Sequence, residues 1–234
     1  MKQILLPEPV RHRLVFYLAM EEYVAARYGE GFFIWQSRPT VIFGRNQDME
    51  AEVNIEYCRS HGIEMYRRKS GGGCVYSDEG NIMLSCITRT TDVTLAFRDY
   101  LRQLCEALQG LGLDAVSTAH NDVLVGGAKV SGNAFFARKG SGIVHGTLLY
   151  DSDFSVLEKA ITPSRQKLES HGIKSVRQRV ANLKDLGLRL SVEELKAALA
   201  AHFTDSSLTL DASDVAAIED IENTYLDPGF ILGK

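Results

Sequence analysis

The chain has 234 residues, with 26 Lys and Arg against 30 Asp and Glu and a formal net charge of −4. This acidic balance argues against bulk nucleic-acid binding. Hydrophobic residues at 45% and charged residues at 24% describe an ordinary globular chain able to bury a full core. No run approaches the roughly 18 apolar residues of a membrane helix, and the short apolar stretch before Pro7 falls short of a signal-peptide core, so a soluble protein is expected. The four cysteines, Cys58, Cys74, Cys86 and Cys105, contain no C-x-x-C pair and have no His at metal-ligand spacing. In a chain of this size they read as reduced thiols in a cytoplasmic setting.

Leu14 to Arg27 is rich in Leu, Ala, Met and Glu and lacks Gly and Pro, which predicts a helix with Leu14, Leu18 and Ala25 on one side. Two apolar aromatic and β-branched runs, 31–36 and 40–44, flank Ser37-Arg38-Pro39 and read as strands joined by a turn. A short helix follows, with Asn54 as N-cap and Gly62 as the C-terminal glycine, and leads into a strand over 63–67. That strand runs directly into Ser70-Gly71-Gly72-Gly73. Residues 74–76 and 82–88 read as strands around a turn at 77–80. Residues 93–108 carry Leu95, Leu101, Leu104 and Leu108 at helical spacing, with Gly110 and Gly112 ending the helix.

From 114 to 150, short β-prone pieces are cut by Gly126-Gly127 and Gly140-Ser141-Gly142, which predicts hairpins rather than crossover units. Two helices close the chain, one opened by a capping box of Ser191 and Glu194, the other over 215–225. There is no internal repeat or Pro/Ser-rich linker. The fold class predicted is α+β, a single domain over 1–234 with helices packed on a mixed, largely antiparallel sheet.

The most informative segment is Arg67-Arg68-Lys69-Ser70-Gly71-Gly72-Gly73. Three successive glycines let the backbone take positive φ and approach a ligand closely, so that N–H groups converge on an anion, and three adjacent cations add charge. A phosphate-cradling loop is expected. It is neither a Walker A loop nor a G-x-G-x-x-G dinucleotide loop. The second segment runs from Asn121 and Asp122 through Gly126-Gly127 to Lys129 and Ala134. Asp122 heads one strand and Lys129 sits past a Gly-Gly turn on the next, placing a carboxylate able to hold Mg²⁺ and a cation toward one pocket.

Together these segments resemble a known family. RRKSGGGCVYSDEGN, then NDVLVGGAKVSGNA, then HGTLL from His145, then KSVRQRVANL from Lys174 is similar to the lipoate-protein ligase A group, whose pattern runs RRxSGGGxVxHDxGN, ND, KxSGxA, HGTLL and SVRSRVxNL. TVIFGRNQ from Thr40 resembles the stretch ahead of the family's glycine loop. The resemblance implies the mixed-sheet catalytic domain shared with biotin protein ligases. It implies attachment of lipoate to a lysine of lipoyl domains in 2-oxo acid dehydrogenase complexes and of the glycine-cleavage H protein, using ATP and Mg²⁺ through lipoyl-AMP.

By motif position, Lys129 would bridge the α-phosphate and the acyl carbonyl oxygen as the catalytic cation. Gly71, Gly72 and Gly73 would line the adenylate, Arg68 the carboxylate or carbonyl, and Asp122 with Asn121 would serve Mg²⁺ and phosphate. The resemblance adds Ser70, Val75, Asn81, Ser131, Gly132, Ala134, His145, Gly146 and Thr147 to the adenylate-binding set. His145 reads as structural, with a backbone partner. The dithiolane needs an apolar slot, for which Val75, Tyr76 and residues around Phe135 are candidates.

Two departures stand out. The family's His before Asp78 is Ser77 here, removing an imidazole near the acyl site. Bacterial two-domain ligases also carry a further small C-terminal domain, and the expectation for this sequence is the catalytic domain without it. The options are a complete ligase, a ligase needing a separate accessory subunit, or a transferase using preformed lipoyl-AMP. Cys74 beside the glycine loop keeps open an ATP-independent octanoyl or lipoyl transferase working through a cysteine thioester, although Cys74 reads as packing. A noncatalytic binder of lipoyl-AMP or lipoyl domains is the third class, against which Lys129 speaks. Lipoate and octanoate differ only by a ring in an apolar slot and are not separated by the sequence.

Overall fold

The computed structural model describes residues 1–162 and 179–233. In chain order the described elements begin β1 (Lys2–Leu5), α1 (Leu14–Arg27), β2 (Gly31–Trp35) and β3 (Thr40–Phe43). They continue α2 (Met49–Glu52), α3 (Ile55–Ser60), β4 (Glu64–Arg67), β5 (Cys74–Ser77), β6 (Asn81–Thr88) and α4 (Val93–Gly110). Next come β7 (Ala115–Ser117), β8 (Asp122–Val125), β9 (Ala128–Arg138), β10 (Ser141–Leu149) and α5 (Phe154–Ala160). The chain closes with α6 (Val192–Phe203), β11 (Ser206–Thr209), α7 (Ala212–Leu226) and α8 (Pro228–Leu232).

Eight strands form one mixed sheet in the order β11-β1-β2-β6-β10-β9-β8-β7, and β4-β3-β5 form a second, smaller one. β1 runs parallel to both β11 and β2, while every other pair of the large sheet is antiparallel. The expected α+β class with a largely antiparallel sheet is what the chain adopts. The β7-to-β10 stretch is the predicted run of hairpins. Gly126 and Gly127 have φ of +57° and +81°, the double positive φ that a two-residue hairpin turn between β8 and β9 requires.

Local signals placed several helix starts. Asn54 accepts from Tyr57 N at α3, Asp92 accepts from Thr94 N and Leu95 N at α4, and Ser191 with Glu194 forms a reciprocal capping box at α6. The strand pairs read as joined by turns behave differently. β2 enters the large sheet and β3 the small one, and β5 and β6 divide the same way. A turn makes two strands neighbours in sequence without making them hydrogen-bond partners. The two crossings meet where Ser37 Oγ lies 3.0 Å from Ser77 Oγ, both residues fully buried.

β6, at the centre, is buried on both faces. Ile82, Leu84 and Cys86 pack with α4 and α6, whereas Met83 and Ile87 pack with α1. The small sheet closes a third cluster with α3 and α5, through Val41, Phe43, Cys58 and Leu157. Helix α1 lies between the large sheet and α7, so almost all of it is buried, including Glu21 and Glu22.

Candidate active site

The site is built around the segment after β4. All four residues before the glycines are engaged in holding it. Arg67 Nε donates to the carbonyls of Phe230 and Ile231 in α8, and its NH1 donates to those of Gly44, Arg45 and Gln47. Arg68 NH2 donates to Gly71 O and Gly73 O, each at 2.8 Å, and NH1 to Ile42 O. Lys69 Nζ lies 2.6 Å from Glu22 Oε1 and 4.6 Å from the centre of the Tyr225 ring. Glu22 also accepts from Tyr225 and pairs with Arg138.

This corrects the expectation that the three cations supply charge to a bound anion. They are braces, and Arg68 curls the loop around its own guanidinium by taking up its carbonyl oxygens. Burial pushes the Arg68 guanidinium down to about 10. Arg68 still borders the cavity, but its donors are spent on backbone. Gly72 needs its positive φ of +92°, and a Cβ there would lie 2.8 Å from Arg68 NH2.

Ser70 is buried and ends a chain of hydrogen bonds. Its Oγ lies 2.8 Å from His145 Nε2. His145 Nδ1 lies 2.8 Å from Glu21 Oε2, Ser85 donates to Glu21 Oε1 at 2.6 Å, and Trp35 Nε1 donates to Ser85 at 2.9 Å. The expected backbone partner of His145 is therefore replaced by two side chains, one from α1 and one from the glycine loop.

Lys129 is the second residue of β9 and Asp122 opens β8, so the hairpin turn brings them together. Lys129 Nζ is 2.7 Å from Asp122 Oδ1, and Arg179 pairs with Asp122 Oδ2. Burial lowers the pKa of the Lys129 ammonium, the Asp122 carboxylate opposes this, and Arg179 adds to the lowering. Asp122 is 4% exposed, with both oxygens committed to cations. Each oxygen of the expected Mg²⁺ ligand is thus paired with a cation in this arrangement. No group of three or more His, Cys, Asp or Glu able to hold a metal occurs among the described residues. One carboxylate facing two cations has no net negative charge to offer, so the residues do not fit a protein-held Mg²⁺.

Between the two sheets these elements enclose a cavity of about 310 Å³. Gly72, Gly73, Val75, Asn81, Asn121 and Lys129 border it, as do Gly132, Ala134, His145, Gly146 and Thr147. Ser70, Gly71, Asp122 and Ser131 do not border it; Ser131 Oγ bonds to Asn133, and Asn121 is tied to Asn133 across the strand ends. Cys74 and Tyr76 also border it, whereas Ser77 does not. Phe135 faces the other side of the sheet, against Phe97 of α4. Strand alternation puts Ala134 in the cavity wall and Phe135 in the core, which removes Phe135 from the expected apolar slot.

One polar atom in the cavity wall has no partner among the described residues. Asn81 is fully buried and pairs in register with Leu149. Its Nδ2 donates weakly to Tyr76 O at 3.4 Å, and its Oδ1 is unsatisfied. Buried polar atoms rarely stay unpaired, so this carboxamide marks a place for a hydrogen-bonding ligand group.

Sequence alone points to no individual role for Glu21, Glu22 or Arg179, the last of which lies within the KSVRQRVANL motif. The signal for the first two was a pair of carboxylates inside an otherwise apolar helix. Of the KSVRQRVANL motif, 174–178 lie outside the described residues. In the rest, Arg179 O accepts from Lys129 N and Ala181 N donates to Lys129 O.

The family model for the lipoyl protein ligase A/B catalytic domain matches residues 14–204. The chain belongs to this family. The lipoate-protein ligase 1 of Staphylococcus aureus is 42% identical over 184 residues, covering 76% of this chain and 56% of that protein. This chain thus spans little more than half the length of that relative. The bi-partite lipoate protein ligase of Thermoplasma acidophilum, analysed with its E2 lipoyl domain, is 28% identical with a TM-score of 0.86, covering 99% of this chain and 96% of that one. The lipoate-ligase structure Ta0514 from the same organism, holding lipoic acid, is 25% identical with a TM-score of 0.83 and 99% coverage of both. A lipoate-protein ligase A bound with ATP is 25% identical with a TM-score of 0.85, covering 99% and 98%. No helix among the described residues is long and apolar enough to cross a membrane.

Proposed function

We propose that this chain is a single catalytic domain that attaches lipoate to the acceptor lysine of lipoyl domains, those of 2-oxo acid dehydrogenase subunits and the glycine-cleavage H protein, through lipoyl-AMP. The observation that carries the reading is the Lys129 ammonium at the wall of an apolar cavity, held by Asp122. Lipoate carboxylate attacks the α-phosphorus of ATP and expels pyrophosphate. The acceptor amine then attacks the acyl carbonyl and AMP leaves with the oxygen it gained. Negative charge grows on the α-phosphate in the first step and on the carbonyl oxygen in the second. One half-buried cation between the two groups stabilises both.

The cavity offers two kinds of wall for the two halves of the adenylate. Asn81 stands with Tyr76 and Leu149, against Leu157 and Ile161. A flat apolar slot with one unpaired carboxamide suits a purine, which has apolar faces and a donor and acceptor on its edge. Ile42, Val75 and Met83 pack with the α1 side of the core and suit an acyl tail, which has no strong hydrogen-bonding group. Support for both ligand classes comes from the relatives holding lipoic acid and ATP. Four cysteines outside any disulfide accord with a cytoplasmic setting.

The test measures the two half-reactions at matched enzyme concentration, with an apo lipoyl domain as acceptor and intact mass as readout. Transfer from supplied lipoyl-AMP is expected to be fast, and adenylation from lipoate and ATP slow for this chain alone. Alignment of carboxylate and ATP in a water-poor site needs more closing surface than transfer does. The bi-partite Thermoplasma relative supports adding an accessory subunit as a third arm. No transfer from lipoyl-AMP to any lipoyl domain would overturn the reading.

A further inference from the structure

The glycine loop is gripped from α1 by two consecutive carboxylates. Glu22 takes Lys69 directly, and Glu21 reaches the next residue, Ser70, through His145. The second line takes its sense from the His145 tautomer. Glu21 carboxylate oxygens only accept, so Ser85 and His145 Nδ1–H both donate to it. In the Nδ1–H tautomer, which the Glu21 carboxylate favours, Nε2 is an acceptor that the Ser70 hydroxyl fills. Trp35 donates to Ser85 and completes the far end. Every hydrogen on this line points toward Glu21, although Glu21 and Ser70 do not touch.

We propose that Glu21 is a positioning residue for the adenylate site: by setting the His145 tautomer it fixes the Ser70 hydroxyl, and with it the loop that carries Gly72 and Gly73. The proposal rests on the function given above. Its physical content is that the loop has few ways to be held from below. Arg68 fastens its carbonyls and Lys69 its entrance, but Ser70 is the side chain that joins it to the strand bordering the cavity, β10. Without an acceptor at Glu21, the imidazole is free to present Nε2–H to Ser70, which reverses the bond and turns the hydroxyl. A loop displaced by about 1 Å costs roughly 10²-fold in a well-aligned site.

The test is a double-mutant cycle read by calorimetry with lipoyl-AMP as the titrant, with thermal melting of each variant as the control for folding. Glu21→Met and Ser70→Ala are each expected to weaken lipoyl-AMP binding by roughly 10- to 100-fold. The double variant is expected to be no weaker than the worse single one, because both cut the same line. Glu21→Gln, which keeps an acceptor for Nδ1–H while its amide nitrogen reverses the Ser85 bond by donating to the hydroxyl oxygen, is expected to restore most of the affinity. Should Glu21→Met fail to fold, Glu21→Asp, which withdraws the carboxylate by one methylene, takes its place in the cycle with the same expectation. Additive losses, or unchanged affinity in the Glu21 variant, would overturn the proposal. A wild-type protein that does not bind lipoyl-AMP would instead overturn the function it rests on.

Discussion

A Cβ at Gly132 would stand 2.6 Å from the Lys129 ammonium nitrogen and 2.7 Å from its Cε. The strand therefore leaves bare a position over which the Lys129 side chain folds back toward Asp122. Gly132→Ala is expected to leave the fold intact, because the obstructed atoms are the far end of a flexible side chain, yet to push the ammonium off the reacting oxygens. Transfer from lipoyl-AMP should fall by roughly 10²-fold, with thermal stability close to wild type. Full turnover in this variant would show that the position of Lys129 is not critical.

Lys129→Ala removes the cation itself. Loss of one charge-stabilising donor costs roughly 10²–10³-fold in rate. Arg179 still neutralises Asp122, so the fold should survive. Stopped reactions analysed by intact mass should show lipoyl transfer lost, while circular dichroism stays native.

The glycines of the loop are not equivalent. Gly72 has a φ of +92° and a Cβ would press on Arg68 NH2, whereas a Cβ at Gly71 meets nothing within 4 Å. Positive φ alone costs a side chain about 1–2 kcal/mol. Gly72→Val is therefore expected to abolish lipoyl-AMP binding in calorimetry, and Gly71→Ala to leave the loop's geometry unchanged. Equal tolerance at both positions would mean the loop is only a turn.

Arg67 is 5% exposed and donates to carbonyls from two separate segments, while stacking its cation 4.9 Å from the Phe43 ring centre. Arg67→Leu strands those carbonyls. A stability loss of roughly 3 kcal/mol in urea unfolding is expected, together with release of α8 from the small sheet, readable as faster amide exchange over 228–232.

Cys74 borders the cavity beside Gly73. Under the adenylate mechanism, protein given lipoyl-AMP without an acceptor should carry no acyl group on any cysteine. Intact-mass analysis decides it, and a stable adduct on Cys74 would favour a thioester route in place of the lysine-stabilised adenylate.

Elements whose cause lies within a few residues were legible in the sequence: the Asn54 helix start, the leucine spacing of α4, the Ser191 capping box, and the Gly126-Gly127 hairpin that brings Lys129 to Asp122. Motif order likewise pointed to the walls of the cavity, since Gly72, Asn81, Lys129 and His145 all meet there. Strand partners were not legible. β1 and β11 join residues 2–5 to 206–209, and SSLT carries no alternation by which to detect a strand. The run Arg67-Arg68-Lys69 shows why charge in a sequence is ambiguous. Cations attract ligand anions and backbone carbonyls by the same electrostatics, and only the folded surroundings decide which oxygen arrives first. Here Gly71, Gly73, Ile42 and the α8 carbonyls take the arginines and Glu22 takes the lysine. Burial in the tertiary structure then brought Glu21 to His145, 124 residues away, and Arg179 to Asp122, 57 residues away. No periodicity or spacing encodes those pairs. A buried charge must find its partner wherever packing places one, so that partner is a property of the three-dimensional arrangement.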